Sequence, residues 1–246
     1  RGPLTDHFDG RRFVNRQPTD MPGFVKAVQQ GRDWARGPWD PWREHPPQPA
    51  PPVRVDGGGL RATFVNHATF LLQIDGVNIL TDPIWSDRCS AVSFAGPRRR
   101  HAPGVALEAL PPIDLVLISH NHYDHLDLPT LQRLKAHSDP LIVAGLGNAA
   151  LLRDAGLDRV REIDWGERVD AAGLGVIGQE TRHFSGRGLF DRMGTLWLGF
   201  VLDAPPPMQH PVNASFDRRI ELLGFEIELP NGDTVGPRQS FAVTWY

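Results

Sequence analysis

The chain of 246 residues sets 26 Lys and Arg against 29 Asp and Glu, a net charge of -3 at pH 7. That balance leaves no global field to hold a polyanion, which argues against nucleic acid as a partner, and no apolar run approaches the roughly 20 residues of a membrane-spanning helix. A single cysteine, Cys89, can build neither an internal disulfide nor a thiolate zinc site by itself, so any metal must sit on histidine and carboxylate.

Residues 1–56 contain ten prolines and no sustained strand alternation, and read as a Pro- and Trp-rich N-terminal arm rather than a domain. Within the arm, Phe24, Val25, Val28 and Ala35 approximate a helical stripe. Trp34, Trp39 and Trp42 crowd just ahead of the proline run, and either cap the edge of the core or form an apolar lip for lipid or a partner. A globular core spans 57–203. It opens with short strands at 62–66, 70–74 and 77–81, the last two joined at Asp75-Gly76, a two-residue hairpin signal. A buried strand is expected at 114–119, then a helix with Asp127 as its cap and Pro129 in its first turn, running to about 136. Further strands fall at 141–144 and 160–163, around a helix at 148–155 that Gly156 ends, and a last strand at 196–203. Strands alternating with helices place the chain in the α/β class. Residues 204–246 begin with Pro205, Pro206 and Pro207 and form a tail to which the pattern assigns no role.

The chemistry concentrates in His120-Asn121-His122-Tyr123-Asp124-His125, at the junction between a buried strand and a helix, where active sites of α/β folds gather. For this composition, chance occurrence of the pattern is on the order of one in a thousand. In an extended segment side chains at i and i+2 point the same way, so His120 and His122 can face one ion. Asp124 and His125 diverge as the chain turns into the helix, toward a second ion a few ångströms away, which suggests a binuclear site.

This pattern resembles the signature of the metallo-β-lactamase superfamily. Asn66-His67-Ala68-Thr69, Leu80-Thr81-Asp82-Pro83, Gly96-Pro97-Arg98-Arg99, Asp164-Trp165, His183-Phe184-Ser185-Gly186-Arg187 and Leu196-Trp197 narrow the resemblance to the branch containing N-acylphosphatidylethanolamine-hydrolysing phospholipase D and its bacterial relatives. The resemblance implies an αββα sandwich built from two similar halves, the second here shortened or incomplete. It implies metal ligands His120, His122 and His183 for one ion and Asp124 and His125 for the other, the last two also acting in catalysis. Asp82 would lie beneath the metal loop as an acceptor that orients a ligand histidine, with His67 in the same layer as support rather than ligand. The implied activity is that of a hydrolase using two Zn²⁺ ions, a phosphodiesterase of phospholipase D type that cleaves N-acylphosphatidylethanolamine-like lipids through a zinc-bound hydroxide. Expected partners are a phospholipid or other small phosphodiester, peripheral membrane contact and a homodimer; the compartment stays open. Arg187 and Arg192, near His183, are candidates to pair with phosphate oxygens, against a reading as ordinary surface charges.

The pattern departs from the family after Asp203. A bridging Gly-Asp-Thr-Gly-Tyr is missing in that form; Gly232-Asp233-Thr234 reproduces three letters but reads equally as a hairpin turn, and His210 is the only later histidine. Two explanations stand: a shortened record of an active enzyme, or a degenerate relative whose second metal is weak. A lactonase or soluble phosphodiesterase of the same fold, and a metal-binding module without turnover, are the alternative functions.

Overall fold

The computed structural model describes residues 4–17, 42, 44, 49–56, 59–188 and 190–203, together with the backbone of three later strands. The stripe from Phe24 to Ala35, Trp34, Trp39, His210 and Gly232-Asp233-Thr234 lie outside the described residues.

Six strands form the first sheet in sequence order: β1 (Leu60–Asn66), β2 (Thr69–Ile74), β3 (Val77–Thr81), β4 (Leu115–Ile118), β5 (Leu141–Gly145) and β6 (Val160–Ile163). The first three pair antiparallel and the last three join in parallel. Asp75 and Gly76 make the expected hairpin turn, both with positive φ (49° and 76°), as a two-residue turn matched to strand twist requires. Helices α1 (Leu128–Ser138) and α2 (Ala149–Asp154) are the parallel crossovers. A second sheet of order β12-β9-β8-β7 contains β7 (Arg168–Ala171), β8 (Leu174–Gln179), β9 (Gly199–Asp203) and β12 (Phe241–Val243), all antiparallel. A separate hairpin joins β10 (Arg219–Leu222) to β11 (Phe225–Glu228).

The period-2 geometry of β4 generates the layers. All four residues are buried, as in a central parallel strand covered on both faces. Val116 and Ile118 pack with Leu131 and Leu134 of α1 and Leu152 of α2. Leu115 and Leu117 face the other way, into a core with Trp165, Val176, Trp197 and Phe200 that joins the two sheets. The expected sandwich is therefore present, and among the described residues its helices cover the first sheet.

One local expectation is refined, one is corrected, and one element is new. Asp127 is the N-cap residue of α1, as expected, but its side chain caps no backbone N–H of the helix; its carboxylate instead accepts the Ser86 N–H (3.0 Å), the Ser86 hydroxyl (2.8 Å) and the Thr130 hydroxyl (2.6 Å), tying the loop after β3 to the helix. The last expected strand begins at Gly199, because Leu196 and Leu198 spend their N–H groups on the carbonyls of Leu146 (2.8 Å) and Ser119 (2.9 Å), crossing the C-terminal ends of β5 and β4. The β7–β8 hairpin was not anticipated. Its turn places Ala172 at φ 51°, a conformation alanine rarely signals, and Gly175 and Gly178 interrupt the apolar alternation of β8.

The N-terminal arm is not uniform. Phe13 is buried in the intersheet core, its N–H bonded to the Met193 carbonyl (2.8 Å). His7, also buried, lies between Asp6 (2.6 Å) and Asp164 (2.7 Å) and stacks on Trp165. Trp42 is exposed. Among the described residues no helix is long and apolar enough to cross a membrane.

Gly145 ends β5 where the crossing segment passes over it, and a Cβ there would overlap the Leu196 carbonyl. Because the obstacle is backbone and cannot rotate away, Gly145→Ala is expected to cost about 1–3 kcal/mol, read as a lower urea midpoint at unchanged m-value.

Candidate metal centre

The site is built on the C-terminal ends of β3 and β4. After β3 the chain turns at Asp82, whose left-handed backbone (φ 36°) sends a fully buried carboxylate under the loop that follows β4. That carboxylate accepts the Ser119 N–H (2.7 Å), the Ser119 hydroxyl (2.6 Å) and the His125 Nδ1–H (2.8 Å). Ser119 Oγ lies 2.8 Å from His120 Nδ1, so one chain of hydrogen bonds engages the Nδ1 of both rings. In the neutral ring Nε2 is thereby left as the acceptor, the form in which imidazole binds metal.

His120, His122 and His183 converge: ligand atoms of all three lie within 4.8 Å of one another, with His120 Nε2 at 2.9 Å from His122 Nδ1 and 3.0 Å from His183 Nε2. His183 comes from the stretch between β8 and β9, 61 or more positions from the other two in sequence but adjacent in space. Burial, reinforced by the charges of His125 and His122, holds His120 far below the ordinary histidine range. Burial, then His183, pushes His122 down to about 4, and burial with His125 lowers His183. Three neutral imidazoles with lone pairs aimed at one point suit a single N-bound cation.

A second group lies beside the first. Asp124, His125 and His67 bring ligand atoms within 4.8 Å of one another, with Asp124 Oδ2 3.2 Å from His67 Nε2 and 3.7 Å from His125 Nε2. Burial would raise the Asp124 carboxyl, but the hydrogen bond from His67 and the charge of His125 outweigh it and keep it an anion. Burial likewise works against charge on His125, and the Asp82 carboxylate overcomes it and raises the pKa. The sequence reading treated His67 as support alone. The structure places it among the second set of donors, on the tight β1–β2 turn with φ 42°, and only the Asn-His-Ala-Thr pattern between two strands signalled it.

The two arginines occupy different places. Arg187 NH1 donates to the carbonyls of Asn121 (2.9 Å) and Leu126 (2.7 Å), and its guanidinium lies 4.0 Å from the Tyr123 ring, so it braces both ends of the metal loop. Asn121 answers by accepting the Gly186 N–H (2.8 Å). Arg192 lies 5.4 Å from the ring of Phe184, which packs on His122 and His183 at the rim.

Comparison with known proteins places these residues in a wider set. Residues 77–208 match the family model described as beta-lactamase superfamily domain. An uncharacterized protein of Mycobacterium tuberculosis is 44% identical over 154 residues, covering 62% of this chain and 41% of the relative. N-acyl-phosphatidylethanolamine-hydrolyzing phospholipase D 1 of Caenorhabditis elegans is 37% identical over 155 residues, covering 58% of this chain and 43% of the relative. This chain thus spans about two fifths of the length of those relatives. Among solved structures, isothiocyanate hydrolase from Delia radicum gut bacteria is 26% identical with a TM-score of 0.45, covering 58% of this chain and 57% of that one.

Two outcomes follow from the electrostatics. In metal-free protein, His120, His122 and His183 take up protons less readily folded than unfolded, so stability is full above the ordinary histidine range and falls as pH drops below about 6.5. His125 opposes with one proton. Urea denaturation with chelator present should show lower stability at pH 5 than at pH 7, and His122→Asn should flatten that dependence. Separately, Asp82→Asn removes the charge that orients His125 and Ser119, and should weaken divalent-metal binding by about 10- to 100-fold in a competition titration.

Proposed function

The chain belongs to the beta-lactamase superfamily, and from that premise we propose that it is a metal-dependent hydrolase, a zinc phosphodiesterase of phospholipase D type acting on N-acylphosphatidylethanolamine-like lipids. The observation that carries the reading is the pair of adjacent donor groups, one of three imidazoles and one of carboxylate and imidazoles, with His120, His122, Asp124 and His125 on the loop after β4 and His183 and His67 brought to it from other segments. The relatives named as phospholipases D in Caenorhabditis elegans and Saccharomyces cerevisiae, 37% and 33% identical, support the substrate class.

In this reading His120, His122 and His183 hold one Zn²⁺, and Asp124 and His125 hold a second. When bound, the ions supply Lewis acidity that brings the pKa of water toward neutrality and polarises a phosphoryl oxygen. The residues of the chain do the rest. Asp82 fixes the His125 ring and, through Ser119, the His120 ring. Among the described residues of the two groups Asp124 contributes the anionic donor, which lets the second group attract a cation that neutral imidazoles alone would hold less strongly. Arg192, beside Phe184 at the rim, serves as the guanidinium for non-bridging phosphate oxygens. Arg187 acts on the substrate side only through the donors its bonds to the loop leave over, and its main service is to hold the loop in shape. Peripheral membrane contact through the Trp-rich arm, and a homodimer, complete the proposal.

The test uses purified protein, Zn²⁺ and a chromogenic phosphodiester. His183→Ala should lose one equivalent of zinc. Asp124→Asn should turn over at least about 100-fold more slowly, roughly 2.7 kcal/mol in barrier, with its melting temperature little changed because the apolar core is untouched. Wild-type protein that binds less than one equivalent of zinc, or an Asp124→Asn variant with full activity, overturns the reading.

A further inference from the structure

His183 differs from the other donors in how it is held. His120 and His125 hang on the end of β4, their rings braced by Ser119 and Asp82, whereas His183 lies in the non-strand stretch between β8 and β9. A peptide group in such a stretch needs partners for its N–H and its C=O. Both come from one side chain far away in sequence. Asn15 Nδ2 donates to the His183 carbonyl (2.9 Å), and Asn15 Oδ1 accepts the His183 N–H (3.2 Å). The same Oδ1 accepts the indole N–H of Trp197 (3.1 Å), a fully buried residue of the intersheet core.

A primary amide offers one donor edge and one acceptor edge, as a peptide group does, so Asn15 stands in for the strand partner that His183 lacks. The orientation of the amide is unambiguous, since a flipped amide would set its NH₂ against two N–H groups. The carrier segment is itself anchored: Phe13 is buried in the core with its N–H on the Met193 carbonyl, and Val14 N–H bonds the His7 carbonyl (2.8 Å). Arg16 on the other side bonds Asp6 (2.7 Å) and Glu180 (2.5 Å). Asn15 is thereby triangulated between the rigid Trp197 indole and the backbone of a metal donor.

We propose that Asn15 is a positioning residue for the first metal site: it fixes the backbone of His183 so that the imidazole meets His120 and His122, and the N-terminal segment is thus part of the site and not an appendage. The inference rests on the reading of His183 as a ligand. Its test is Co²⁺ binding to the full chain, followed by the visible d–d bands, which report ligand geometry independently of activity. Asn15→Ala should bind Co²⁺ about 10- to 100-fold more weakly at the first site, with altered band positions. Asn15→Asp keeps both acceptor contacts but sets a carboxylate oxygen against the His183 carbonyl in place of the Nδ2–H donor, and should lower affinity and shift the bands in the same direction. Arg16→Ala, which loosens the segment without touching the Asn15 bonds, should lower the melting temperature and leave Co²⁺ affinity and spectrum as in wild type. A lower melting temperature with unchanged affinity and bands in Asn15→Ala, or in Asn15→Asp should the alanine variant not fold, overturns the proposal. Wild-type protein that takes up no Co²⁺ overturns the metal reading itself, and this proposal with it.

Discussion

A carboxylate without solvent access organises this molecule. Burying an anion is costly unless its lone pairs are filled, and Asp82 fills them with the Ser119 N–H, the Ser119 hydroxyl and the His125 Nδ1–H. Each of those donors lies on the loop after β4, so satisfying the carboxylate and shaping the metal loop are one event. The left-handed turn at Asp82 brings this about: it ends β3 and directs the side chain across to the neighbouring parallel strand.

The loop so shaped is clasped from outside by the second half of the core. Arg187 reaches two of its carbonyls, Asn121 receives the Gly186 N–H, and Leu198 donates to Ser119. These bonds link residues more than 60 positions apart, and they deliver His183 to the histidines of the first half. The close passage of Leu196 over Gly145 belongs to the same seam, where only a residue without a side chain leaves room for the crossing backbone. Intersheet packing of Trp165 and Trp197 against Leu115 and Leu117 makes the seam rigid.

Electrostatics then divide the site into two unlike compartments. Three imidazoles held neutral by burial form the first, while the second holds an anionic carboxylate beside an imidazole whose charge a buried carboxylate favours. Such a pairing sets a neutral nitrogen group beside one whose carboxylate attracts positive charge. The N-terminal segment contributes to this arrangement through Asn15, which ties it to the chemistry as well as to the core.

Local pattern by itself determined most of the first sheet and the heart of the site. The hairpin at Asp75-Gly76, the apolar run of β4 and the helix that follows are short-range consequences of turn chemistry and hydrophobic periodicity, and they place His120, His122, Asp124 and His125 on one loop. Where signals were weak, as in the glycine-interrupted β8 and the turn at Ala172, the element went unforeseen. Asp127 occupies the N-cap position that the local rule assigns it, yet its carboxylate found Ser86, 41 positions away. The same holds for the place of His67 beside Asp124, the bracing by Arg187 and the clamp from Asn15 to His183. Each is a hydrogen bond between distant segments, decided only when two sheets pack and every buried polar group must find a partner, a condition that spacing along the chain does not encode.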